Sequence, residues 1–193
     1  MTNTTLKRSA SLNTTDLALM ATFAAFIAVC AQITVSAIGA PFTLQMFGIF
    51  LAASVLGATR GFLTVILYLA VGTAGLPIFA KGDAGPAVWV GATAGYLIAF
   101  PIAALIVGWA AHRVVRRNPA AFVVAVSVVA AIVTVVVVGT LGTLGMSMKL
   151  DVSLAVAWGY ATPFFVGDII KGVVAAIVAA AVLRAFPQLT ARR

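Results

Sequence analysis

Six stretches of this chain are too apolar to fold against water. They run from Leu17 to Ala37, Phe42 to Gly57, Gly61 to Val71, Val88 to Ala111, Ala121 to Leu141 and Thr162 to Phe186. A helix crosses the ~30 Å hydrocarbon core of a bilayer with ~20 apolar residues. The Val-rich run at 135–138 would also suit a strand. A membrane, however, accepts only helices or closed barrels, and these runs lack the period-2 alternation of a barrel strand. The expectation is an all-α integral membrane protein with six transmembrane helices. Composition supports it: 63% of residues are apolar and 8% charged, against about 45–50% and 25% in a soluble domain. Twelve Lys and Arg, four Asp and no Glu cannot clothe a water-soluble surface of this size. A soluble enzyme, a disordered tail and a nucleic-acid-binding module are excluded.

The net charge of +8 is explained by topology. Lys and Arg concentrate in the cytoplasmic loops of membrane proteins. With the N-terminus inside, the inner segments hold Lys7, Arg8, Arg60, Arg113, Arg116, Arg117, Arg184, Arg192 and Arg193, and the outer loops only Lys81 and Lys149. Both termini are therefore expected in the cytoplasm, facing the anionic inner leaflet of a multi-pass plasma-membrane protein. Residues 1–15 read as a cytoplasmic tail, 16–186 as the six-helix transmembrane domain and 187–193 as a second tail. No small-residue cleavage site ends the first apolar stretch, so a cleaved signal peptide is not expected. His112 falls in an inner loop and reads as solvated. Cys30 sits in an apolar run and reads as an inert core thiol.

The most unusual segment is Pro163-Phe164-Phe165-Val166-Gly167-Asp168-Ile169-Ile170-Lys171, which opens the sixth span. Asp168 and Lys171 are three residues apart and share a helix face. An ionised residue inside a membrane marks a functional site by default. Three readings stand side by side: a neutralised pair that snorkels to the interface, a polar site for a ligand, and proton coupling by Asp168. As a ligand site, Asp168 would accept N–H groups and Lys171 would meet a carboxylate. Gln45 and Tyr96 lie near the outer ends of their spans and would line the same cavity. Gln32, Thr64 and Tyr68 read as interhelical hydrogen-bond partners.

Two outer segments stand out. The run from Gly72 to Pro86 is rich in Gly and Pro yet carries Leu76, Ile78 and Phe79, so it is expected to fold back over something. The run from Gly142 to Ala161 is expected as a loop, with Ser153 to Tyr160 as a short interfacial helix and Trp158 and Tyr160 at headgroup level. Small residues recur four apart at Ala21/Ala25 and Ala24/Ala28 in the first span and at Gly172/Ala176/Ala180 in the last, a spacing that lets helices approach closely. No P-loop, H-E-x-x-H or G-x-S-x-G motif is present. One cysteine and one histidine exclude a disulfide and a two-histidine metal site. No cofactor is expected.

Four stretches together resemble the BioY family, the biotin-specific substrate-binding (S) component of energy-coupling factor (ECF) transporters. They are Pro41-Phe42-Thr43-Leu44-Gln45, Gly75-Leu76-Pro77-Ile78-Phe79-Ala80, Gly95-Tyr96-Leu97-Ile98-Ala99-Phe100 and the segment from Pro163 to Lys171. Their order spans nearly the whole chain. Where the family usually reads G-P-T-G-G-Y, this chain has Gly91-Ala92-Thr93-Ala94-Gly95-Tyr96. The resemblance implies an S-component bundle with biotin as ligand, held near the outer face. It implies Asp168 and Lys171 as polar contacts, with Tyr96, Gln45, Phe79 and Thr93 around the ligand. The implied partners are a transmembrane T component and two ABC ATPases, docked on the face of Ala21, Ala24, Ala25 and Ala28. Membrane lipid surrounds the bundle, and no nucleic acid is involved. An S component for another vitamin, a self-sufficient carrier with Asp168 titrating, and an intramembrane enzyme remain as alternative readings.

Overall fold

The computed structural model describes residues 13–36, 41–114 and 118–191. Helix α1 (Thr14–Gln32) opens on a capping box. The Asn13 side chain accepts from the Asp16 N–H at 2.9 Å, and Asp16 accepts in return from the Asn13 N–H. This satisfies donors that a helix start otherwise leaves unpaired. Asp16 also pairs with Arg60 of α3 (Ala58–Thr73) at 3.0 Å, tying the starts of α1 and α3 together.

The first helix ends five residues before the sequence suggests. After Gln32 the chain turns into a two-stranded antiparallel hairpin, β1 (Thr34–Ser36) with β2 (Pro41–Thr43), in which Thr34 faces Thr43. The all-α expectation needs this one amendment. β-Branched Thr34 favours extended backbone over helix.

Helix α2 (Gln45–Leu56) is the centre of the bundle, packed against α1, α3, α4 (Ala94–Val114) and α7 (Leu154–Ala185). Every residue in it except Phe47 is buried. A helix apolar all round has no polar face to show and is enclosed by its neighbours. At 12 residues it is about 18 Å long. Gly57 joins α2 to α3 at φ 83°, a left-handed conformation that favours glycine. Gly108 of α4 passes this turn so closely that a Cβ there would lie 2.6 Å from the Gly57 carbonyl carbon.

The second half differs most from expectation. Helix α5 (Pro119–Val133), capped by Asn118, runs through a π-helical segment (Thr134–Gly139) into α6 (Thr140–Leu150) without interruption. The chain turns at Asp151 (φ 53°), and α7 starts at once, capped by Ser153. The outer loop expected between Gly142 and Ala161 is therefore helix on both sides of a short turn. Glycines on facing helices allow close packing here: a Cβ at Gly95 would collide with the Leu141 carbonyl oxygen, and one at Gly145 would come within 2.8 Å of the Gly95 nitrogen. Small residues let two backbones meet in this way.

Among the described residues, α1, α4, the continuous helix Pro119–Leu150 and α7 are long and apolar enough to cross a membrane, while α2 and α3 are shorter. The expected fourth span starts late, because Pro86–Val90 forms a 3-10 turn before α4. His112 sits exposed in the last turn of α4. Pro187–Ala191 forms a short helix α8 within the expected C-terminal tail. Lys7, Arg8, Arg116, Arg117, Arg192 and Arg193 lie outside the described residues.

A polar cavity under the loop between α3 and α4

The charged pair of α7 is formed. Lys171 Nζ donates to Asp168 Oδ1 at 2.7 Å. Both side chains are largely shielded, with 9% and 14% exposure. The Lys171 ammonium also lies 3.8 Å above the ring centroid of Phe42, a cation–π contact that partly replaces lost hydration. Phe42 reaches α7 because residue 167 is glycine; a Cβ there would collide with the Phe42 ring. Phe164 leans on Phe42 at 5.8 Å. The hairpin and α7 thus build the cation's surroundings jointly. The ion pair uses Oδ1, so Asp168 Oδ2 retains acceptor capacity.

This pair forms one wall of a cavity of about 170 Å³. The start of α2 contributes Gln45 and Met46, α4 contributes Tyr96, Leu97 and Phe100, and the π segment contributes Val138. The roof is the loop between α3 and α4, with Phe79, Ala80, Lys81 and Asp83, followed by Thr93. All six residues singled out from the sequence (Gln45, Phe79, Thr93, Tyr96, Asp168 and Lys171) line this one cavity. The Tyr96 hydroxyl is buried and has no hydrogen-bond partner among the described residues.

The roof loop is held by named bonds. Gln32 of α1 donates to the Phe79 carbonyl at 2.9 Å, and the Tyr68 hydroxyl of α3 donates to the Ile78 carbonyl at 3.2 Å. Trp89 Nε1 donates to Thr73 Oγ1 at 2.8 Å. The Phe79 ring crosses Tyr68 edge-on at 5.4 Å and fills the space over Gly72, where a Cβ would collide with it. Gln32 and Tyr68 thus join separate elements, while Thr64 does not: its hydroxyl bonds back to the Arg60 carbonyl of its own helix. The signal for a folded-over loop was its apolar Leu76, Ile78 and Phe79 among glycines. Met46, Phe100, Val138 and Phe164 carried no signal, because an apolar wall residue looks like any other apolar residue in such a chain.

Ala21, Ala24, Ala25 and Ala28 lie along a groove bordered by Leu67, Tyr68, Val71, Leu76 and Ile78. Ala24 is buried, whereas Ala21 and Ala25 are exposed.

Comparison with known proteins decides the family. Residues 2–188 match the BioY family profile. The chain belongs to the BioY family. It is 36% identical to the putative biotin transporter BioYB of Bacillus subtilis, over 91% of this chain and 90% of that protein. It is 33% identical to the biotin transporter BioY of Rhizobium etli, over 94% of this chain and all of the relative. Its fold matches the crystal structure of the S-component for biotin from an ECF-type ABC transporter, with a TM-score of 0.78 and 24% identity, over 88% of this chain and 91% of that one. Membership in BioY makes the chain a multi-pass membrane transport protein rather than an enzyme.

Proposed function

We propose that this chain is the biotin-binding S component of an ECF-type transporter, which captures biotin with high affinity at the outer face and delivers it to the cytoplasm. The observation that carries the reading is the shielded Asp168–Lys171 pair opening on a polar cavity, in a chain whose relatives are named biotin transporters. Biotin offers a ureido ring with two N–H groups beside a carbonyl, an apolar sulfur ring and a carboxylate. Asp168 and Lys171 are 2.7 Å apart, so they address adjoining ligand groups rather than opposite ends. A ureido edge, N–H next to C=O, meets an acceptor next to a donor. Lys81, the other cation on the cavity wall, then takes the carboxylate. Thr93 and Tyr96 add polar contacts, and Phe79, Leu97 and Phe100 cover the sulfur ring.

The chain carries no P-loop, so in this reading partner subunits supply the ATP hydrolysis. A transmembrane T component and two ABC ATPases are the reading's partners, with the Ala21, Ala24, Ala25 and Ala28 face as the docking surface. The topology is six spans with both termini inside. α2 and α3 are short for the bilayer, but α2 is wrapped in protein and faces almost no lipid.

Calorimetric titration of the purified, detergent-solubilised chain is the test. Biotin is expected to bind tightly and saturably, and thiamine and riboflavin are not. Absence of heat with biotin, from folded protein, overturns the assignment. For topology, single cysteines at Lys81 and Arg184 on a Cys30→Ala background are expected to be labelled by an impermeant reagent in whole cells at 81 alone. Labelling at 184 alone reverses the orientation.

A further inference from the structure

We infer that Tyr68, though absent from the cavity wall, is a positioning residue that fixes the Gln45 amide so that its oxygen, not its nitrogen, is offered to a ligand N–H. The inference rests on the biotin reading above. The Tyr68 hydroxyl touches two groups: the Ile78 carbonyl at 3.2 Å and Gln45 Nε2 at 3.0 Å. A backbone carbonyl can only accept, and a phenol has a single proton to give. That proton goes to Ile78, so the hydroxyl oxygen can only accept from Gln45. The amide must therefore point its NH2 toward Tyr68, which leaves Oε1 at the other end. Gln45 is 5% exposed and lines the cavity. A buried amide without this anchor would be free to turn over and offer its NH2 instead.

The result is a chain of bonds running from roof to ligand site: Ile78 carbonyl, Tyr68 hydroxyl, Gln45 amide, ligand. It equips the cavity with a second acceptor besides Asp168, and a ureido ring has two N–H groups to match. It also makes the orientation of a cavity residue depend on where the roof loop sits, since displacing Ile78 would release the Tyr68 proton toward Gln45.

The test is calorimetry on the full chain in detergent with two probes: biotin and, of its two mono-N-methyl ureido analogues, the one whose binding Asp168→Asn still weakens, so that the methyl sits on the nitrogen away from Asp168. Wild type is expected to prefer biotin. Tyr68→Phe keeps the ring against Phe79 and removes only the hydroxyl. It is expected to weaken biotin by roughly three- to tenfold, the size of one neutral hydrogen bond. It is also expected to narrow the preference over the methylated analogue, which a merely structural role would not do. In a double-mutant cycle, Tyr68→Phe combined with Gln45→Ala is expected to be no weaker than Gln45→Ala alone. Unchanged biotin affinity in Tyr68→Phe, or full additivity in the cycle, overturns the inference while leaving the biotin assignment intact. Should Tyr68→Phe fail to fold, Gln45→Met decides: loss of biotin affinity with the analogue unaffected supports an acceptor at Gln45, and equal loss for both refutes it. Failure of wild type to bind biotin at all instead overturns the biotin assignment, and this inference with it.

Discussion

Asp168→Asn is expected to weaken biotin binding by roughly 10- to 150-fold, corresponding to ~1.5–3 kcal/mol for a charge-assisted hydrogen bond. Two losses combine in this variant. The ligand N–H meets a neutral amide oxygen in place of a carboxylate, and that amide can turn its NH2 toward the ligand. Lys171 loses its countercharge and keeps a neutral amide oxygen and the face of Phe42. Removing one partner of a shielded ion pair leaves the other as an uncompensated charge, which is worse than removing both. Lys171→Ala is the paired measurement: it reports the donor half of the site and strands the Asp168 carboxylate in place of the cation. Calorimetry on both variants checks the prediction. Unchanged biotin affinity in both would remove the pair from the binding site.

Gly95→Ala is expected to destabilise the fold by about 1–3 kcal/mol, the usual range for overpacking, and to reduce biotin binding as well. The added methyl would meet the Leu141 carbonyl oxygen, with the Leu141 carbonyl carbon behind it. Those are backbone atoms inside a continuous helix, so no rotamer change relieves the contact. The two helices must separate, and Tyr96 sits on the next residue with its ring laid over Gly142. Separation moves that ring from the cavity wall. Thermal unfolding in detergent, with and without biotin, checks both parts. A melting temperature equal to wild type would show that α4 and α6 do not meet this closely. By contrast, a methyl added at Gly159 inside α7 would have nothing within 4 Å, so Gly159→Ala serves as the control, expected to leave stability unchanged or to raise it by up to about 1 kcal/mol.

Hydrophobicity alone made the membrane class legible, because apolar runs of this length have no other solvent. The charged pair was legible for the same reason in reverse: Asp168 and Lys171 are conspicuous where almost nothing else is charged, and three residues on one helix can only bring them together. Gln45 and Tyr96 were found as polar outliers in apolar spans, and Thr93 through the family resemblance. The converse explains the misses. In a chain that is 63% apolar, the residue type of Met46, Phe100 or Val138 does not distinguish a cavity wall from a lipid-facing surface. At the expected loop 142–161, which is helical on both sides of a short turn, glycine is ambiguous. It loosens a chain in water, but between two helices it permits contact, and only the partner helix tells which applies.

What the sequence determined by itself was local or compositional: the solvent, the helical class, the placing of Asp168 and Lys171 on one helix face, and the apolar loop expected to cover something. Tertiary structure decided the rest. It set Lys171 on Phe42 from a hairpin 129 positions earlier in the numbering, seated Phe79 on Gly72, and brought the Tyr68 hydroxyl within 3.2 Å of the Ile78 carbonyl and 3.0 Å of Gln45 Nε2. Those facts depend on which backbones approach each other, and no run of residues along the chain contains that information.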